Sequence, residues 1–324
     1  MQANFTSRFK GDRWIWFVVI ILSLLGILAV YSATGTLAYS KRGGNTEFYF
    51  LRHTGFLLIG LALLYLTHHI PFQYYSRISQ ILLLISIGLL ILTLFIGSEI
   101  NNATRVIPIP LLGITFQPSD LAKLSLIAAL AAMLAKRQNN INDFSGTLLP
   151  IIISIGVISA LIGMANMSTA ILLLITCLLI MFIGRVPVQH LALVVMVGIL
   201  GLSVAILTGQ RKDTFLSRIE TFMDSKDDDS KVPFQAEQSY IAIATGGITG
   251  KGPGNSEQRN TLPHPYSDFI YAIIIEEYGL VGGAFIMFIY LVFLYRCIRI
   301  YKRCPYAFGA FLALGLSFTL AIQA

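Results

Sequence analysis

Charge is scarce in this sequence. Only 12% of its 324 residues are Asp, Glu, Lys or Arg, about half the share in a soluble domain. A soluble globular enzyme is thereby excluded. Acidic residues are rarer still where a transporter would use them. None lies in the middle of the first three apolar runs or of the fifth to seventh. Proton- or ion-coupled carriers place ionisable groups near the bilayer midplane, so their absence argues for chemistry at a membrane surface. Cysteine is also sparse. Cys177, Cys297 and Cys304 form neither a disulfide framework nor a CxxC pair. None of the five histidines has zinc-ligand spacing, and His68-His69 reads as an interfacial pair at the end of a run, so no metal site is assigned. No basic, aromatic-interleaved patch is present, so the net charge of +7 reflects membrane topology rather than nucleic-acid binding. The alternation of barrel strands is missing as well.

What fills the chain is apolar. Residues AVILMFWYC make up 56%, and mean hydropathy is +0.75. Nine runs, at 13–33, 54–70, 79–97, 119–135, 147–164, 168–184, 189–208, 270–298 and 306–324, approach or exceed the length of a membrane-spanning helix. Backbone groups in lipid must pair internally, so the expected fold is an all-α polytopic membrane protein. The first run is too long for a signal-peptide core and reads as an uncleaved anchor. With the N-terminus inside, the inner loops hold Arg8, Lys10, Arg13, Arg77, Lys136, Arg137, Arg185, Arg296, Arg299, Lys302 and Arg303. The short outer loops hold Lys41, Arg42, Arg52 and Arg105. This bias sets the orientation and puts the long loop 209–268 outside. The chain then reads as one membrane domain: seven spans in 1–208, the large loop, and two further spans in 269–324. The eighth run is long and carries Gly279, Gly282 and Gly283, which predicts an interfacial start and a bend. The ninth ends at Ala324 with no polar tail, so the chain reads as incomplete there.

The polar exception is the stretch from Gly246 to Glu277. Four acidic residues stand at the outer boundary: Asp120, Asp268, Glu276 and Glu277. Ionisable groups so close to lipid are costly and are candidates for function. If a helix starts at Ser267, Asp268 and Glu276 share a face, about 12 Å apart along the axis. Asp268 is then either the helix N-cap or a general base whose pKa, ordinarily about 3.9, is raised by partial burial. Gly246, Gly247, Gly250, Gly252 and Gly254 surround Lys251. Their amides and the ammonium form either an anion cradle or merely a flexible turn. Upstream, Pro108, Pro110 and Pro118 keep 101–117 out of a regular helix, and Pro118 suits the first turn of a span. Asp120 and Lys123, at i and i+3, either pair structurally or leave Lys123 to help bind an anion.

Three ordered stretches resemble a known family. The first is NATRVIPIPLLGITFQPSDLAK, including Arg105, Gln117, Ser119, Asp120 and Lys123. The second runs from Arg218 through Gln238, Gly246-Gly247 and Gly250-Lys251-Gly252 to Ser256 and Gln258. The third is Leu262-Pro263…Ser267-Asp268-Phe269-Ile270…Glu276-Glu277…Gly279. Together they are similar to the SEDS (shape, elongation, division and sporulation) proteins, nearest the cell-division branch. The resemblance implies ten helices and a peptidoglycan glycosyltransferase acting on lipid II during division, at the outer face of the cytoplasmic membrane and at the septum. It places the essential aspartate on Asp268 and substrate contacts on the other motif residues just named. Positive charge for the departing pyrophosphate falls to Lys251, Lys123, Arg105 and Arg218, with Mg or Mn as a further candidate. It implies a class B penicillin-binding transpeptidase and other division proteins as partners. The sequence departs from the pattern at Val106, at Ala165-Asn166, and at His264 and Tyr266; a last outer loop and tenth helix are absent from it. The other readings of the chain are a lipid II flippase and a non-catalytic scaffold for a transpeptidase.

Overall fold

A computed structural model describes residues 11–35, 45–99, 104–109, 114–208, 233–262 and 265–323. Among them, nine apolar helices coincide with the nine predicted runs: α1 (Arg13–Ala33), α2 (Thr46–His69), α3 (Phe72–Ile96), α4 (Pro118–Lys136), α5 (Leu149–Ala165), α6 (Met167–Ile183), α7 (Val188–Thr208), α9 (Ile270–Arg303) and α10 (Ala307–Gln323). The tenth described α-helix is α8 (Phe234–Gly246), in the long loop. Six of the apolar helices, α5 counted with its leading π-turn, are long and apolar enough to cross a membrane; α6, α7 and α10 are shorter. The protein is a multi-pass membrane protein.

Two boundaries differ from the sequence expectation. The second helix starts at Thr46 rather than 54, with the Asn45 side chain accepting from the Phe48 amide at 3.1 Å. The third starts at Phe72, just after Pro71, rather than at 79. Hydropathy registers only the turns that lie in lipid, so polar helical ends such as TEFYFLRH escape it. Between α3 and α4 the proline-rich stretch forms three short antiparallel strands: β1 (Ser98–Glu99), β2 (Thr104–Ile109) and β3 (Ile114–Phe116), in the order β1-β2-β3. Pro108 lies in the middle strand, where a missing N–H usually breaks a ladder. The β1 pairing reaches only Thr104 and Val106, so beyond that point β2 is an edge on one side and the proline is tolerated.

The described residues form two compact units. The larger comprises 71–220 and 297–324. On α3, Ser79, Leu83, Ser86, Leu90 and Thr93 are buried at alternating spacings of four and three. That is the seam of knobs-into-holes packing, and α3 lies against α4 along it. Ser86 Oγ meets Ser125 Oγ across the seam at 3.2 Å. Small residues let membrane helices approach closely; a Cβ on Gly315 of α10 would meet Ile127 of α4 and Ile180 of α6. Leu126, Leu130, Ile155, Ile158, Leu173 and Met181 are fully buried between them. The smaller unit, 1–70 and 221–296, holds α1, α2, α8 and most of α9. No residue of α2 is buried. Apolar side chains left exposed there face what is, in the membrane, lipid.

Candidate active site

The local architecture of the polar loop starts from a break in α9. Gly279 has φ 72° and ψ −176°, which no helix accommodates. In an unbroken helix the amides of Leu280 and Val281 would donate to the carbonyls of Glu276 and Glu277. Those four groups are instead taken by the glycine loop. The Lys251 amide donates to the Glu276 carbonyl and the Gly252 amide to the Glu277 carbonyl, both at 2.9 Å. The Leu280 amide donates to the Gly247 carbonyl at 3.0 Å and the Val281 amide to the Ile248 carbonyl at 3.3 Å. Leaving a buried backbone group unpaired costs about 1–3 kcal/mol, and these four loop bonds offset that cost at the break. The loop must come very close to do so. A Cβ on Gly250 would strike the backbone of Glu277 and Gly279, and one on Gly279 the backbone of Ile248 and Gly250.

This geometry decides between the two sequence readings of the glycine segment. At Gly250, Lys251 and Gly252 it is neither a free cradle for an anion nor a flexible turn. The amides of Gly250, Lys251 and Gly252 are all engaged by protein carbonyls.

The side chains continue the clasp. Glu276 is fully buried. Its Oε1 accepts from Lys251 Nζ at 2.9 Å and the Glu257 amide at 3.1 Å, its Oε2 from Ser256 Oγ at 2.5 Å and the Gln258 amide at 3.3 Å. Lys251 Nζ also lies 3.3 Å from Glu257 Oε2. The hydrogen bond to Glu276 raises the Lys251 pKa above its ordinary value, and the carboxylates reinforce this against partial burial. Glu277 accepts a hydrogen bond from Ser32 Oγ on α1, and Arg259 Nη1 donates to the Ser32 carbonyl at 3.1 Å. Gln238 lies part-buried on α8. Glu257, Arg259 and Ser32 were missed by the sequence reading. Ser32 carries no local signal, since it lies 245 residues from Glu277.

Asp268 stands apart from this network. It is exposed, not partly buried as the general-base reading expected, in the irregular turn 265–269 just before α9. The helix begins at Ile270, not Ser267, so Asp268 precedes it by two residues and is not its N-cap. The predicted common face with Glu276 fails for the same reason: one residue lies outside the helix and the other is sealed within it. The turn is held from below by a small apolar cluster of Ala33, Leu262 and Ile273, against which Tyr266, Phe269 and Ile270 pack.

The QPSD residues lie in the larger unit. Gln117 Nε2 donates to Ser119 Oγ at 2.9 Å, and Pro118 opens α4. Lys123 Nζ pairs with Asp120 at 2.9 Å, as its spacing predicts, and reaches Gln323 Oε1 at 3.4 Å. Arg105 lies in β2, and Arg218 and His264 lie outside the described residues. Among the described residues no group of three His, Cys, Asp or Glu could hold a metal ion.

Fold and site together define a polytopic helical membrane protein with a polar loop clasped to one broken helix. The chain belongs to the FtsW, RodA and SpoVE family of cell cycle proteins, whose family model matches residues 12–324. It is 31% identical over 322 residues to the probable peptidoglycan glycosyltransferase FtsW of Geobacter sp. (strain M18), covering 98% of this chain and 86% of that protein. It is 29% identical to stage V sporulation protein E of Bacillus subtilis (strain 168), covering 98% and 86%. The fold is similar to the crystal structure of the rod shape determining protein RodA of Thermus thermophilus, with a TM-score of 0.66 and 20% identity over 97% of this chain and 83% of that one. It also resembles a chain from a peptidoglycan synthase complex that coordinates polymerization and crosslinking, with a TM-score of 0.68 and 22% identity over 97% and 85%.

Proposed function

We propose that this protein is a peptidoglycan glycosyltransferase that polymerises lipid II, with Asp268 as its general base. The name of the Geobacter relative supports the activity. The observation that carries the base assignment is a contrast between carboxylates. Glu276 is buried and occupied by four donors, Glu277 is buried and hydrogen-bonded to Ser32, and Asp268 alone of the three presents an exposed carboxylate. A base must reach the proton it removes.

In the proposed reaction the 4-hydroxyl of an acceptor GlcNAc attacks the anomeric carbon of the lipid-linked MurNAc. Asp268 takes the hydroxyl proton. The bond from that carbon to the phosphate oxygen breaks, and undecaprenyl pyrophosphate leaves with the electron pair. The leaving group is already an anion, so it needs positive charge more than a proton. Lys251 and Lys123 are held in ion pairs, and Arg259, which donates to the Ser32 carbonyl, adds a further positive charge to the loop. A divalent cation of the Mg class, which binds through one or two carboxylates plus substrate phosphates, would supply the same kind of charge.

The reading extends to topology and partners. The Lys and Arg bias supports a cytoplasmic N-terminus and an outward-facing loop. The proposed partner is a class B penicillin-binding transpeptidase, in keeping with a fold like that of a peptidoglycan synthase complex chain, and the proposed place of action is the division septum, in keeping with a family of cell cycle proteins. The experiment is polymerisation of lipid II by the purified protein in detergent, where no membrane barrier exists. Asp268→Asn should lower the rate by a factor of about 10²–10⁴ and leave thermal stability unchanged. Polymer formed by Asp268→Asn at the parental rate would remove Asp268 from the mechanism. Lipid movement across liposomes with no polymer in detergent would favour the flippase.

A further inference from the structure

We propose that Glu276 is a positioning residue: its buried carboxylate tethers residues 256–258 to α9 and so fixes the turn that carries Asp268. The inference rests on Asp268 being the base. The turn 265–269 has no regular structure to hold it, yet base catalysis demands placement within a few tenths of an ångström. Two attachments to α9 bear on it. Close to it, Leu262 is buried with Ile273, and Tyr266, Phe269 and Ile270 pack against that cluster. Farther upstream, the chain at 256–258 is fastened to Glu276. Ile273 and Glu276 are three residues apart and therefore neighbours on one face of α9. Residues 256–262 and 265–270 are thus attached to a single stretch of helix.

The chemistry of the cradle shows why a carboxylate is required. An ionised carboxylate offers about four lone-pair sites and no proton. Glu276 meets four donors, two on each oxygen, and each oxygen faces one backbone amide: Glu257 on Oε1 and Gln258 on Oε2. A hydroxyl or an ammonium can rotate away, but an amide N–H cannot. A glutamine side chain would therefore aim its NH₂ at a backbone N–H in either orientation. The saturation of Glu276 also denies it contact with substrate, so its influence on the reaction must pass through the loop.

The test combines two measurements on the purified protein in detergent with lipid II as substrate. Glu276→Gln should lower kcat by about 100-fold, the scale of a displacement near 1 Å. The KM for lipid II should stay within about 3-fold, since no substrate contact is lost. Amide hydrogen exchange should accelerate across 256–270 while the α3–α4 seam keeps its protection. Ser256→Ala, which removes one donor of the four, should give the same pattern at smaller size and serves if Glu276→Gln does not fold. Unchanged exchange at 256–270 in both variants overturns the proposal. A rise in KM at constant kcat also overturns it, by making Glu276 a substrate contact. Asp268→Asn run in parallel separates the two claims. It should lose polymerisation with exchange at 256–270 unaltered; if it polymerises, the base assignment fails while the exchange data still judge the tether.

Discussion

At the scale of the residue, ion pairs in this protein staple distant parts of the chain. Asp12 caps α1 by accepting from the Trp14 amide at 2.9 Å, and it also takes the Arg296 guanidinium through Nε at 3.0 Å and through Nη2. Burial pushes its carboxyl up, but the Arg296 and Trp14 hydrogen bonds outweigh this and hold it below the ordinary carboxylate range. A carboxyl depressed on folding stabilises the protein above its unfolded pKa of about 3.9, and that contribution drains away as pH falls through the lower folded value. Asp12→Asn should lower the melting temperature at pH 7, equivalent to about 1.5–3 kcal/mol for charge-assisted bonds. The difference from the parent should shrink below about pH 4. Melts in detergent across pH 3–7 read both effects. Lys251 behaves in the opposite sense. Its pKa is raised on folding, so the stabilisation from Glu276 is complete below the unfolded value of about 10.4 and is lost only as pH rises through the folded one. Between pH 6 and 9 that clasp should show no pH dependence.

At the scale of the element, the broken helix α9 sets how strictly glycine is required. Gly250 and Gly279 combine a positive φ with backbone atoms where a Cβ would stand, whereas Gly254 has a positive φ and open space. Gly254→Ala should therefore cost only the conformational penalty, about 1–2 kcal/mol. Gly250→Ala and Gly279→Ala should cost more, because backbone on both strands must part and the four substituted hydrogen bonds go with it. A graded series of detergent melts checks the order; equal losses at all three positions would mean the loop does not enter the helix. The α3–α4 seam should be far more tolerant. Ser86→Ala removes one hydroxyl bond to Ser125, and such bonds between membrane helices average about 0.6 kcal/mol.

At the scale of the whole molecule, apolar length and charge bias fix different things. Length specified where helices lie, and charge bias specifies which way they face. In a cysteine-free background, Ser225→Cys in the long loop should react with a membrane-impermeant maleimide in intact cells, and Gln138→Cys between α4 and α5 should not. The reverse pattern would invert the topology and put Asp268 on the cytoplasmic side.

All nine apolar helices, a bend among the glycines of the eighth run and the possibility of an Asp120–Lys123 pair could be read from the chain, because each depends on neighbours in sequence. Hydrophobic length, a glycine within a run and an i,i+3 spacing are local quantities. The early starts of α2 and α3 were not legible, since polar helical turns look like loop to a hydropathy reading. Neither was the α8 helix or the β1–β3 sheet. The division of labour among the carboxylates was hidden altogether. Asp268, Glu276 and Glu277 carry the same charge in the same stretch, and composition alone cannot rank them. Only the folded chain brings Ser256, Lys251 and two amides onto Glu276 and Ser32 onto Glu277, leaving Asp268 open. The sequence by itself determined a membrane-spanning helical protein, because transfer of apolar side chains from water is a property of each segment. Tertiary structure decided which acid is buried and which is free, because burial and hydrogen bonding depend on residues that meet only after folding.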